Sequence, residues 1–374
     1  MTQLAPDIQV DDLLGEITRL RPELLAVAAG YEDEERFPRD WVLRLADRGA
    51  IAAGLPRPYG AGVPSEDYAR MVESIAAGWL TLAEIVQLQV LCGIGLTRYG
   101  CDRLRAEYVP RIISGEWIGG NCFSEPESGS DLGRLQSTAT RRGDGWILDG
   151  QKAWVGHGPV ASFFNVYART GGPGLTGISC FLVHADTPGV HVGAPLRKMG
   201  ARSLPTCPVT FDGVRVEGYR LLGRVNRGMI VGDAVFRLGR LGIAACAVGL
   251  SQAAVDHAVA YAKRRRQFGR PVFEFQGVSG LLADMSTSTE AARQLVRHAG
   301  RCRDSDRDAV RTLAQAKLFA TETAMRVTTD AVQVLGAYGY DCDQPVERWM
   351  REAKLLQIIE GTSQIQRVTI ADQL

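Results

Sequence analysis

Gly145-Trp146-Ile147-Leu148-Asp149-Gly150, Phe163-Phe164-Asn165-Val166-Tyr167-Ala168-Arg169-Thr170 and Ile178-Ser179-Cys180-Phe181-Leu182-Val183-His184-Ala185 are short β-branched and aromatic runs, broken by glycine, proline and aspartate. Runs of that length between turn residues read as strands. With the Val190-His191-Val192 and Val209 to Val216 segments they make residues 119–223 a small, mainly antiparallel β-domain. On either side the texture is helical. From about residue 6 to 117, apolar residues recur at three- and four-residue spacing, as in Tyr68, Val72 and Ile75 or Leu104, Tyr108 and Ile112. Pro38 suits the first turn of one such helix. After Gly228, long helical stretches are expected over 235–264, 277–300, 308–335 and 346–359, with Gly336 as a terminator. The expected division is a helical domain over 1–118, a β-domain over 119–224 and a helical domain over 225–374. No internal repeat or low-complexity tract interrupts that order.

A chain of 374 residues exceeds the size at which one core stops growing, so several sub-domains around a cleft are expected. Its 43 Lys+Arg nearly cancel its 42 Asp+Glu, which leaves no field to attract nucleic acid or an anionic membrane. A small-molecule ligand fits that balance better. Eight cysteines stand singly, without a C-x-x-C pair, and point to a reduced, cytoplasmic setting. The first residues, MTQLAPDIQVDDLLGE, carry acids where a signal peptide needs a basic and then an apolar stretch. Neither export nor a membrane span is expected. Five histidines without ligand spacing give no reason to expect a metal.

Gly172-Pro173-Gly174-Leu175-Thr176-Gly177 matches the G-x-G-x-x-G string of dinucleotide-binding folds. That fingerprint needs a helix opening at its third glycine, and here a strand follows, so a hairpin loop is expected. Cys122 to Asp131 packs hydroxyls, glycine and acids into a loop that either presents N–H groups to a phosphate or is only a turn cluster. Trp154 beside Gly156 is a stacking wall for a flat ring or a core indole. Arg264, Arg265 and Arg266 at a helix end suit phosphate oxygens or a solvated basic terminus. Glu360, where an apolar helix reaches Gly361 and restarts at a Thr362/Ser363 cap, faces the negative end of a helix dipole. That placement is poor for stability and useful for a base whose pKa should approach neutrality, helped by flanking Ile358 and Ile359.

These segments, in this order, resemble the acyl-CoA dehydrogenase family from about Asp40 to Ile370. The matching pieces are S-E-P-x-S-G-S-D at 124–131, K-x-W at 152–154, K-x-G-x-R at 198–202, Y-x-x-x-R-x-x-F-G at 261–269 followed by Gln276, Q-x-x-G-x-x-G-Y at 333–340 and E-G-T-S at 360–363. The resemblance implies an α+β fold: an N-terminal helical domain, a middle antiparallel β-domain and a C-terminal four-helix bundle. It implies one FAD per subunit and a homotetramer, or a dimer. Carried over by motif, Phe123, Ser124, Gly129, Ser130 and Trp154 line the flavin and pyrophosphate, and Gly156 stands near flavin N5. Arg265, Phe268 and Gln276 hold the phosphates and adenosine, while Gln333, Leu335, Gly336 and Ala337 reach the cofactor from a neighbouring subunit. Thr362 and Gln364 close the site, and Ser130, Arg240, Ile359 and Gly361 touch substrate. Glu360 is the implied base that takes the α-proton of an acyl thioester while hydride leaves Cβ for flavin N5, giving the trans-2-enoyl thioester. In the family its backbone N–H and a ribityl hydroxyl serve the thioester oxygen, and an electron-transfer flavoprotein reoxidises the flavin.

The sequence departs from the family pattern in three places. Gly156 and His157 stand where a Thr or Ser hydroxyl usually lies near N5, which keeps an oxidase or monooxygenase reading open. Arg237 replaces an acid three residues before Arg240, which suits a phosphopantetheine phosphate or an acyl-carrier-protein substrate. Ile359 replaces a common Tyr before the base, which reshapes the acyl pocket. A non-catalytic flavin-binding subunit is the third reading, and retention of Glu360 argues against it.

Overall fold

The computed structural model describes residues 8–374, so residues 1–7 of the expected first domain lie outside the described residues. Six helices come first: Val10–Asp33 (α1), Arg39–Asp47 (α2), Ala50–Gly54 (α3), Ser65–Ala76 (α4), Leu80–Tyr99 (α5) and Asp102–Ile113 (α6). In α4 the buried residues Tyr68, Met71, Val72 and Ile75 form the stripe read from the spacing. α5 is buried over nearly its whole length and runs through the main core.

The middle domain has eight strands: Gly119–Cys122 (β1), Thr138–Arg142 (β2), Gly145–Gly156 (β3), Phe163–Arg169 (β4), Ile178–His184 (β5), Val190–Val192 (β6), Thr206–Glu217 (β7) and Leu221–Leu222 (β8). Their order is β6-β7-β3-β2-β4-β5-β8, with β1 paired in parallel to β4. Apart from that pairing and one parallel contact between β2 and β4, the sheet is antiparallel. β4 and β5 form a hairpin registered from Phe163↔His184 to Arg169↔Ile178, and the Gly172–Gly177 string is its turn. The dinucleotide reading is thereby excluded. β3 carries register shifts against β7 between Leu148 and Gly150 and between Lys152 and Val155. The second irregularity spans Trp154, where a bulge can re-aim a side chain.

The last domain consists of Gly228–Arg264 (α7), Gln276–Ser305 (α8), Ala309–Leu335 (α9), Pro345–Leu356 (α10) and Ser363–Ala371 (α11). α7 begins seven residues before the expected start, through a glycine-rich stretch that reads weakly as helix. Its glycines mark close approaches: a Cβ at Gly228 would lie 2.6 Å from the Ser179 carbonyl carbon of β5. α9 stops at Gly336, whose φ of +61° only glycine adopts freely. α10 ends at Leu356 rather than at 359, so the stretch leading to Glu360 is a turn.

α5 and α7 are long and apolar enough to cross a membrane, with mean hydropathy 1.6 and 1.4. Both helices are core elements, 94% and 83% buried over those windows, and burial accounts for their composition. All eight cysteines are free, and among the described residues no group of three His, Cys, Asp or Glu could hold a metal.

The K-x-G-x-R motif joins the three layers. Lys198 Nζ donates to the Ala201 and Leu204 carbonyls at 2.7 Å each. A Cβ at Gly200 would come within 2.9 Å of the Arg351 and Glu352 backbone of α10. Beyond it, Arg202 N and Ser203 Oγ donate at 2.6 Å to the buried Glu32 of α1, which also accepts from Trp79 Nε1 at 3.0 Å. Replacing Glu32 by Leu strands these donors in the interior, at a cost of about 3 kcal/mol. The expected result is a lower urea midpoint; an unchanged midpoint would show that the clasp is dispensable.

Candidate active site

The loop at 124–131 is set by a buried ion pair. Lys152, wholly buried on β3, places Nζ 2.8 Å from Glu125 Oε1 and 3.2 Å from the Phe123 carbonyl. Glu125 also accepts from the Gln136 and Ser137 N–H groups at 2.6 and 2.9 Å. Burial pushes the Glu125 carboxyl up, but Lys152 and these donors outweigh it and hold the group below its ordinary value. The Ala153 N–H donates to the Ser124 carbonyl at 2.9 Å, which ties the loop to β3. The next residue, Trp154, has φ +59° and is 68% exposed. Of the two readings of this indole, the core one is excluded. Gly129 and Ser130 lie at the exposed edge of the same loop, and no atom lies within 4 Å of a Cβ added at Gly129. Phe123 stacks on Tyr167 with ring centroids 3.8 Å apart and leans on Phe236 of α7 at 4.6 Å.

Glu360 follows the turn after α10 with φ +54°, and Gly361 follows with φ +90°. Two consecutive residues in the left-handed region are costly for a non-glycine, and such strain persists only where the surroundings hold it. Here Lys317 Nζ of α9, itself buried, donates to the Gly361 carbonyl at 2.7 Å. Gln366 Nε2 donates to the Gly361 and Glu360 carbonyls at 2.9 and 3.2 Å. Thr362 caps α11 by accepting from the Ile365 N–H at 3.2 Å. The residue as a whole is half-buried, but Glu360 Oε2 is out of contact with solvent and accepts no hydrogen bond among the described residues. Burial pushes its carboxyl up to about 7, opposed by the positive charges of Arg240 and Lys317. The expected dipole of a helix terminus has no part in this, because α10 ended at Leu356. Ile358 does not shield the acid either, being 53% exposed.

What desolvates the acid is α7. A Cβ at Gly239 would lie 2.2 Å from Glu360 Oε2 and 2.7 Å from its Cδ, so the missing side chain makes the carboxylate's berth. Arg240, the next residue, has a buried Nε without a partner and acts on Glu360 by its charge. Tyr167, stacked on Phe123, feels the Glu360 charge as well, which brings the β-domain and the acid to one place.

The departures from the family pattern have local explanations. A Cβ at Gly156 would meet Leu88 Cδ2 at 2.7 Å, so Leu88 of α5 fills the space a hydroxyl side chain would take. His157 is fully buried, held through Nδ1 by the Gly119 carbonyl at 2.9 Å, and burial lowers its pKa to about 4. It is a neutral core residue. Arg237 pairs with Asp233 at 2.7 Å and Asp306 at 2.8 Å, so its charge is already answered.

Farther out, Phe268 is 93% exposed and Gln276 is exposed at the start of α8. The Arg265 guanidinium lies 5.4 Å over the Tyr338 ring. Arg265 and the 333–340 segment are therefore neighbours within one chain at Tyr338. Gln333, Gly336 and Ala337 are exposed there, whereas the Leu335 side chain is 2% exposed in the core and offers only backbone. Gln364 is exposed beside the Thr362 cap, and Ile359 packs against the core. Uncovered Trp154 and Phe268, the open glycine at 129 and the arginine beside Tyr338 fit a large planar cofactor with phosphates.

A helical–β–helical fold that carries a desolvated carboxylate and uncovered aromatic and basic surfaces is that of a flavin-type oxidoreductase. Models of the acyl-CoA dehydrogenase N-terminal, middle and C-terminal domains match residues 18–116, 120–214 and 226–374. The chain is 37% identical over 357 residues to an acyl-CoA dehydrogenase of Bacillus subtilis, covering 95% of this chain and 94% of that one. Butyryl-CoA dehydrogenase from Megasphaera elsdenii superposes with a TM-score of 0.94 at 31% identity, over 100% of this chain and 98% of that one. The prolyl acyl carrier protein oxidase AnaB superposes at 0.93 with 27% identity, over 98% of each chain. The chain belongs to the acyl-CoA dehydrogenase family, and it is an FAD-dependent oxidoreductase.

Gly239→Ala tests the berth. Alanine favours the helix, but its methyl displaces the carboxylate, and a shift of about 1 Å at a reacting group costs about 100-fold in rate. Flavin content and thermal stability should stay at wild-type values; full activity would show that the carboxylate has other room. Lys152→Met leaves the Glu125 charge buried and unpaired, a loss of about 3–5 kcal/mol, and should release flavin along with stability.

Proposed function

We propose that the protein dehydrogenates an acyl thioester between Cα and Cβ, with Glu360 as the base that removes the α-proton. The observation that carries this reading is the Glu360 carboxylate: its Oε2 is out of contact with solvent and has no hydrogen-bond donor among the described residues, and the group is poised near neutrality by burial against the charges of Arg240 and Lys317. Glu125, the carboxylate that supports the motif loop, is by contrast paired. A base for a weak carbon acid needs the free lone pair and a pKa near the working pH. The Glu360 N–H donates to no backbone carbonyl among the described residues, so it is available to the thioester oxygen as negative charge develops there. Ser130, Arg240, Ile359 and Gly361 are assigned to substrate. Phe123, Ser124, Gly129, Trp154, Gly156, Arg265, Phe268, Gln276 and the exposed part of 333–337 are assigned to FAD, with Thr362 and Gln364 closing the site. When bound, FAD supplies the acceptor for the hydride that leaves Cβ. Leu88 and the aromatic pair Phe123 and Tyr167 keep that end apolar and exclude water from the deprotonated substrate.

CoA thioesters are the first substrates to test, given the relatives named above. A carrier-protein thioester is the second reading, favoured by the likeness to AnaB and not by Arg237, whose charge is compensated. The remaining assignments are a homotetramer, an electron-transfer flavoprotein as acceptor, a cytoplasmic location, and domain boundaries at 118/119 and 224/225.

Anaerobic addition of acyl-CoAs to the holoenzyme should bleach the oxidised flavin band, and Glu360→Gln should slow bleaching at least about 100-fold. Bleaching that survives the substitution would remove Glu360 from the mechanism. The ionised acid is the active form, so the rate should climb with pH and level off above about 8, with its half-point near the Glu360 value of about 7. Lys317→Met removes a cation that favours ionisation, so the half-point should move to higher pH and the rate at pH 6.5 should fall about tenfold. Lys317→Arg should restore the profile. A Met variant with an unmoved half-point would limit Lys317 to a structural role.

A further inference from the structure

α5 carries five polar residues in its buried length: Thr81, Glu84, Gln87, Gln89 and Thr97, none more than 3% exposed. Two are satisfied. Gln89 donates to the Ile112 and Trp117 carbonyls at 3.2 and 2.6 Å and accepts from the Gly119 N–H at 3.0 Å. Thr97 donates to the Gly93 carbonyl at 2.9 Å. The other three are not: Thr81 Oγ1, both Glu84 carboxyl oxygens and Gln87 Oε1 are buried without a partner among the described residues. These three stand at i, i+3 and i+6, so they form one stripe on one face of the helix. Native interiors leave few polar groups unpaired, and four such atoms along one face of a buried helix call for a ligand that satisfies them.

The stripe faces the catalytic face of α7. Gly239 makes the berth of the Glu360 carboxylate, and Gly242, one turn on, does the same for Gln87: a Cβ there would lie 2.1 Å from Gln87 Oε1. Cys246 follows on the same face, its thiol pushed up by burial and further by the Glu84 charge. At 1.5 Å per residue, Gly242 and Cys246 lie about 4.5 and 10.5 Å along the helix axis from Gly239. Gln87 thus meets α7 about one turn beyond the glycine that seats the base, and Glu84 acts on α7 about two turns beyond it, spacings comparable to the γ- to ω-atoms of a short acyl chain.

We propose that the acyl group of the substrate is short and ends in a hydrogen-bond donor, a hydroxyl or amine, received by Gln87 and Glu84 on α5. This rests on the dehydrogenase reading of Glu360 and narrows its substrate class. Plain alkyl chains would leave Gln87 Oε1 and the Glu84 carboxyl unpaired and would be discriminated against, whereas a donor placed one to two turns of α7 beyond the base satisfies them. Burial holds the Glu84 carboxyl up at about 8, opposed by the Lys198 charge and aided by that of Glu32, so near neutral pH it is largely uncharged and can take a neutral hydroxyl.

The test uses isosteric pairs on the anaerobic holoenzyme: hexanoyl-CoA against 5-hydroxypentanoyl-CoA, and heptanoyl-CoA against 6-hydroxyhexanoyl-CoA. For at least one pair, kcat/KM for flavin bleaching should be about tenfold or more higher for the hydroxy member. Gln87→Leu should erase that preference by lowering the rate on the hydroxy substrate and raising it on the alkyl one. Equal or better turnover of the alkyl member in both pairs of the wild-type comparison overturns the inference and leaves the dehydrogenase reading standing. Bleaching by none of the four overturns both. A Gln87→Leu variant that is more heat-stable than wild type, with selectivity unchanged, would mark the stripe as an unsatisfied core feature and also overturns it.

Discussion

The site depends on keeping one carboxylate out of water without giving it a partner. A buried acid normally either ionises as the partner of a nearby cation or stays protonated and neutral. Glu360 sits between these outcomes because desolvation by α7 and the charges of Arg240 and Lys317 act in opposite directions. The backbone is part of the balance. Left-handed φ at both Glu360 and Gly361 turns the chain sharply after α10, and the Gly361 carbonyl that results is held by Lys317 from α9 and Gln366 from α11. Three helices and a glycine on a fourth therefore fix one side chain.

The β-domain solves a different problem with an opposite device. Its motif loop is held by a fully paired ion pair, Glu125 with Lys152, so that Trp154 can remain exposed in a strained conformation. Lysine in K-x-W is thus a support for the loop, and the indole two residues on is the presented surface. The same contrast of paired support against unpaired function separates Gln89 from Gln87 on α5.

Much of this was legible in the chain. β4 and β5 are buried on both faces and so read as continuous apolar strands. The motif segments were found as strings, and the structure brings Phe123, Tyr167, Arg240 and Glu360 into one neighbourhood. What escaped were groups whose meaning is set by distant residues. Lys317 is a single lysine in an amphipathic helix, and such residues are usually solvated. Gly239 is one of several glycines in its helix, and only the carboxylate packed against it gives it a role. The early end of α10 was hidden because Ile358 and Ile359 continue its apolar pattern past Leu356, yet Ile358 faces solvent. His157, which with Gly156 stands where the family usually has a hydroxyl, is a core residue bound to the Gly119 carbonyl.

The central claim is that Glu360 moves the α-proton, and that step can be isolated from hydride transfer. With the flavin held reduced, so that no hydride can be accepted, the holoenzyme in D2O should exchange the α-hydrogens of a bound acyl-CoA, followed by NMR. The account predicts exchange in the wild-type protein and none above background in Glu360→Gln. Equal exchange in the two proteins would contradict it and assign the base to another group.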